Sequence, residues 1–275
     1  MNEVVYNIPA FRVGAYKERP LIVRSSDPAE WIRSLSDETL DHVVYLQLLS
    51  ISADLDPLMH WGEGVPIELV VQDPTAEFPL LYDCTNLLDR HPVRVSIPLT
   101  RGFDQAAKLA VSLQFAVRLR VTQPDSLPVD ALRNILHFYL HHSTASQPID
   151  FIHSLFFAFH DEEPVTLWEI QEEDPARFRF VDDQGSEHLP GRLAQTDFEG
   201  DKALFLDPFK KTVRMPESEC SDCPFFQNCG GYFKWPDPHY RCDGIKPLLQ
   251  MLRDAAEELR SDLERYDQQN TGDQP

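Results

Sequence analysis

Basic residues are scarce in this chain: 25 Lys and Arg stand against 45 Asp and Glu, a formal net charge of −20 over 275 residues. That balance excludes partners held through a polyanionic backbone and repels an anionic lipid surface, so neither nucleic acid nor a membrane is an expected partner. Long apolar runs are missing as well, and no stretch approaches the length of a membrane span. The first nine residues, MNEVVYNIP, lack the basic start and apolar centre of an export signal, which points to a cytoplasmic protein. Gly62-Glu-Gly64 lacks the further glycine and the helix start of a dinucleotide fingerprint. Cysteine is rare too, at five residues. A cysteine-poor chain of cytosolic type is not built on disulfides.

What cysteine there is clusters. Cys220, Cys223, Cys229 and Cys242 are spaced C-x2-C-x5-C-x12-C. A C-x-x-C pair lets a tight turn bring two thiolates onto one ion or cluster, and Cys229 and Cys242 would complete the shell from neighbouring loops. Gly230 and Gly231 allow the sharp bend that has to follow the third ligand. Four thiolates without a histidine suit a structural zinc ion or an iron–sulfur cluster. Zinc ribbons usually present two facing C-x-x-C knuckles, and only one is present here. Phe225, Phe226, Tyr232, Phe233 and Trp235 would wall a cluster off from water, or equally form the core of a small zinc-stapled unit. Spacing alone leaves both metals open.

The run Cys220-x2-Cys223-x5-Cys229-Gly-Gly, then aromatic residues and a later Cys242 before a helix, resembles the C-terminal SPASM region of radical S-adenosylmethionine enzymes. The resemblance covers the last quarter of the chain. It implies that Cys220, Cys223, Cys229 and Cys242 ligate one auxiliary [4Fe-4S] cluster. The ligands of that family's other auxiliary cluster are absent: Phe233 stands three residues beyond Cys229, and Lys211 to Met215 holds no cysteine. The catalytic C-x3-C-x2-C motif is absent as well, since the fifth cysteine, Cys84, stands alone. Radical chemistry is therefore not carried over. The resemblance implies an accessory protein that transfers electrons to, or presents a peptide for, a radical enzyme of peptide modification. The alternative is a zinc-stapled module that binds a protein or peptide without a redox role.

Upstream, strands and helices alternate, which predicts an α/β fold with a parallel sheet. Strands are expected at 42–51, 66–71, 93–97 and 117–121, with helices at about 28–35, 78–89, 103–113 and 128–142. The resemblance makes this a partial (β/α) barrel over residues 1–195, with a small cysteine-rich hairpin-plus-helix domain over 196–275. Further strands are expected at 166–170 and 177–181. A hairpin at 203–214 and a helix from Ile245 to Tyr266 complete the chain, with the residues from Gln268 on disordered. Other polar residues invite a bland reading. Cys84 reads as a small buried hydrophobe. His137 and His141 lie off the apolar stripe of their helix, on a solvated face. Asp54, Asp56 and His60 follow a strand end, where ligands gather in α/β folds. Glu162, Glu163, Glu169, Glu172, Glu173 and Asp174 read as an acidic surface. No nucleophile–base pair stands out.

Overall fold

The computed structural model describes residues 3–121, 129–196 and 198–271. Its centre is a nine-stranded sheet. The strands are β1 (Val5–Pro9), β2 (Leu21–Ser25), β3 (Val43–Leu48), β4 (Ile67–Val70), β5 (Val93–Pro98), β6 (Ala116–Arg120), β7 (Ile149–Asp150), β8 (Phe178–Val181) and β9 (Glu187–His188). Their order is β7-β6-β5-β4-β3-β2-β1-β8-β9. Every pairing is parallel except β8 with β9. The chain thus lays down seven parallel neighbours in sequence, then returns to the far side of β1. This is the α/β architecture expected from the alternation of short apolar runs with helices.

Each strand presents two chemically different faces, because side chains alternate across the pleat. Ile8, Val23, Leu46, Leu69, Val95 and Leu119 are all 0 % exposed and belong to the apolar core. Helices cover this face. The Phe103–Ser112 helix inserts Phe103, Ala106, Ala107, Ala110 and Val111, and Val129–His141 inserts Leu132, Ile135 and Leu136 at helical spacing. The opposite face carries polar residues, taken up below.

The C-terminal quarter joins the same core. Leu248, Leu249 and Leu252 of the terminal helix, Lys246–Thr271, are buried. That helix packs along the Ile152–His160 helix, where Arg260 donates to the Phe159 carbonyl at 2.6 Å. The Tyr232 hydroxyl donates to the carbonyl of Val121, past the end of β6, at 2.7 Å.

Several expectations need correction. Thr166–Ile170 is not a strand: Leu167–Ile170 is a short helix with a capping box in which Thr166 and Glu169 bond each other's backbone N–H groups. The 203–214 segment is not a hairpin but a 3-10 turn (Lys202–Leu204) and a helix (Leu206–Val213) that carries Pro208 in its first turn, where proline's missing N–H costs nothing. The 78–89 helix is two 3-10 turns, Phe78–Tyr82 and Thr85–Asp89. β2 was not anticipated, and the terminal helix runs on through 268–271. The expected helix start at Pro128 and the tail from 272 lie outside the described residues.

Candidate functional site

The four clustered cysteines line one cavity, together with Glu219, Phe225, Phe226, Phe233, Lys234, Ile245, Lys246 and Leu249. Local geometry brings them there. After Cys220 and Cys223 the short Phe226–Cys229 helix ends on Gly230 at φ 58°, and Gly231 follows at φ 76°. Both positions require glycine twice over. Their φ is left-handed, and an added Cβ would lie 3.0 Å from Trp168 at Gly230 and 2.8 Å from Val213 at Gly231. The double bend turns the backbone N–H groups of Phe233, Tyr232 and Gly231 toward the Cys229 sulfur. Cys242 arrives just ahead of the terminal helix, its carbonyl accepting from Lys246 N at 2.9 Å.

A charge cluster built around the buried Lys234, with Glu219 and Lys246 half-buried, fixes the two ends of this loop system. Glu219 accepts from Lys234 Nζ and lies against Lys246 Nζ, both at 2.7 Å, and from the Cys242 amide at 3.2 Å. Burial works to raise its pKa, but the lysines and the amide outweigh burial and hold it at about 2. Lys234, only 4 % exposed, also donates to the Tyr240 carbonyl. Burial pushes the Cys229 thiol up to about 11 despite the three amides, Cys242 up to about 12, and Cys220 up as well. With their pKa values raised these sulfurs are thiols at neutral pH, so a metal bound through them would displace protons.

The dimensions bear on the donor set. The cavity measures about 20 Å³, more than the roughly 10–15 Å³ that holds one water. Among the described residues, no three His, Cys, Asp or Glu side chains are gathered closely enough to share one ion. No cysteine is paired in a disulfide. Of the five aromatics expected around the cysteines, Phe225, Phe226 and Phe233 line the cavity. Tyr232 instead stands edge-on to Trp168, and Trp235 packs on Phe205 and Phe209.

The polar face of the sheet is a second cluster, and it corrects the reading of Glu172 and Glu173 as solvated. The register aligns Arg24, Gln47, Glu68, Arg94 and Ala116 in one lateral row from β2 to β6, and Ser96 with Arg118 in the next. Glu68 is 0 % exposed. It accepts from Gln47 Nε2 at 2.6 Å and from Arg118 Nη1 at 3.2 Å, and forms an ion pair with Arg94, whose Nε lies 2.9 Å away outside hydrogen-bonding geometry. Glu172 closes the cluster from outside the sheet, with Arg118 at 2.7 Å, Arg94 at 2.8 Å and the Tyr45 hydroxyl donating to it. Burial opposes the ionised form of Glu172, yet the two guanidinium groups bring its pKa down to about 2. Glu173 pairs with Arg192 at 2.9 Å, and that guanidinium lies 3.8 Å over the Tyr232 ring. Glu169 caps its helix and pairs with Arg177.

The remaining candidates fall where bland chemistry put them. Cys84 is buried in the core and its thiol is pushed up to about 11 by burial. His137 and His141 lie side by side on an exposed helix face, their rings tilted 56° with centroids 4.7 Å apart. Asp54, Asp56 and His60 are exposed, and the Asp54 carboxylate accepts from the Asp56 amide. Compared with protein-family models, with curated proteins and with solved structures, the chain finds no match.

Proposed function

We propose that this chain is an iron–sulfur protein in which Cys220, Cys223, Cys229 and Cys242 hold a single [4Fe-4S] cluster. On this reading the sheet and its helices are a partial (β/α) barrel, and the C-terminal region is a SPASM-like appendage that has lost its other cluster. One observation carries the reading: all four cysteines line a single cavity, walled by Phe225, Phe226 and Phe233. A cluster spreads its thiolates round an inorganic body.

Bound through four thiolates with no open iron, such a cluster supplies one-electron transfer. The chain's own residues tune that role. The amides of residues 231–233 donate toward the Cys229 sulfur. Lys234 and Lys246 place two ammonium groups beside the thiolates, only partly offset by Glu219. Phe225, Phe233 and Leu249 exclude water. The role that follows is that of an accessory protein, passing electrons to, or presenting a peptide for, a radical enzyme of peptide modification.

The test is a potentiometric titration of anaerobically isolated protein, followed by electron paramagnetic resonance. A reversible one-electron step supports the reading. A cluster that cannot be reduced at biological potentials removes the electron-transfer role. Colourless protein carrying zinc replaces the proposal with a stapled peptide-binding module.

A further inference from the structure

We propose that the polar face of the sheet carries a separate binding site, one that takes a carboxylate, with Arg120 as the residue that recognises it. The starting point is a charge imbalance. Arg94 and Arg118 are balanced by Glu68 and Glu172. Arg120 lies on the same face one pleat beyond Arg118, at the end of β6, and among the described residues no carboxylate pairs with it. Its Nη2 donates to the Val71 carbonyl at 2.6 Å, and its Nε is buried without a partner. Arg118 Nε and Ser96 Oγ are also buried and unpartnered, with Ser96 0 % exposed and directly opposite Arg118 in the ladder.

A half-buried guanidinium whose Nε is cut off from water and has no counter-ion is costly. Here burial makes the cation harder to hold, lowering the Arg120 pKa against the pull of more distant carboxylates. Such a cation is explained if a ligand brings the missing charge. The surroundings fit one. Arg118 and Arg120 line a cavity of about 460 Å³, inside the roughly 300–1,000 Å³ usual for small-ligand sites. Ile22, Phe178 and Phe180 supply an apolar wall. The same lining holds Arg192, already paired with Glu173, and Arg179, with which no carboxylate pairs among the described residues, so the cavity draws an anion. A planar guanidinium fork matches a carboxylate. The ligand class is thus a carboxylate on an apolar or aromatic body, either a small acid or an acidic side chain of a peptide. This inference does not depend on the cysteine site.

The test is calorimetric titration of the full chain with two matched probe pairs: phenylacetate against phenylacetamide, and a blocked pentapeptide with one glutamate against its glutamine counterpart. Saturable binding of an acid with no binding of its amide is expected. Which acid binds identifies the source. Arg120→Gln should weaken that binding by about tenfold or more, as loss of a charge-assisted hydrogen bond does. Arg120→Lys, which keeps the charge and loses the fork, should fall between, and Arg33→Gln on the exposed surface should change nothing. Without ligand, Arg120→Gln should melt no lower than the parent, since an unpaired cation has been removed. Equal binding of acid and amide, no binding of any probe, parent-like binding by Arg120→Gln, or a marked drop in its melting temperature would each overturn the proposal.

Discussion

Glu172→Gln is the sharpest test of how the polar face is held together. The substitution keeps the shape of the side chain and removes its charge from between Arg94 and Arg118, 2.8 and 2.7 Å away. The carboxylate is only 18 % exposed, so solvent screens the loss weakly. Its folded pKa of about 2, set against an unfolded value near 4.3, corresponds to about 3 kcal/mol at neutral pH. Breaking a buried ion pair from one side costs a similar amount, roughly 3–5 kcal/mol. The sign follows from the depressed pKa. The contribution is complete above the unfolded value and fades as pH falls from about 4.3 toward 2. Urea unfolding at pH 7, followed by circular dichroism, should therefore show Glu172→Gln about 3 kcal/mol less stable than the parent. The gap should narrow as titrations are repeated at pH 4 and pH 3. A variant within about 0.5 kcal/mol of the parent at pH 7, the scatter of ordinary surface substitutions, would refute the claim that Glu172 anchors this face.

Gly231→Ala, at φ 76° and with its new Cβ 2.8 Å from Val213, should cost about 1–3 kcal/mol and lower the metal content; stability and iron assays on one preparation check both. Arg192→Lys keeps a charge near Glu173 but loses the stacking over Tyr232 and the bond to the Tyr232 carbonyl at 2.7 Å, so a loss of about 1–3 kcal/mol is expected in urea unfolding. Cys223→Ser should open the loops between Met215 and Ile245 to limited proteolysis. The terminal helix should stay protected, because Leu248, Leu249 and Leu252 pack into the core; an unchanged digest would argue against any metal.

The parts of the fold that could be read from sequence are those in which local pattern and burial agree. Val93–Pro98 and Ala116–Arg120 alternate apolar and polar residues and form interior strands of the sheet. β2 escaped notice because Leu21-Ile22-Val23 is followed at once by Arg24, whose charge belongs to the polar face and has its partners on β1 and beyond β8. Thr166–Ile170 looked like a strand from its Leu, Trp and Ile, yet the Thr166-x-x-Glu169 pairing already signalled a helix start. The cysteine cavity was legible because all its sulfurs fall in one short stretch. Its charge cluster was not: Glu219 meets Lys234 and Lys246 only after the loop has folded. The polar face was the least visible. Glu172 lies 54 residues from Arg118, and nothing local distinguishes it from the exposed acids around it.

The central claim concerns what the four sulfurs hold, and counting atoms tests it most directly. Iron, acid-labile sulfide and zinc should be measured per chain in protein isolated without oxygen, alongside Cys229→Ala. The account predicts about four irons and four sulfides per chain, lost together in the variant, with no zinc above background. One zinc per chain without sulfide, or a folded parent that binds no metal, would contradict it.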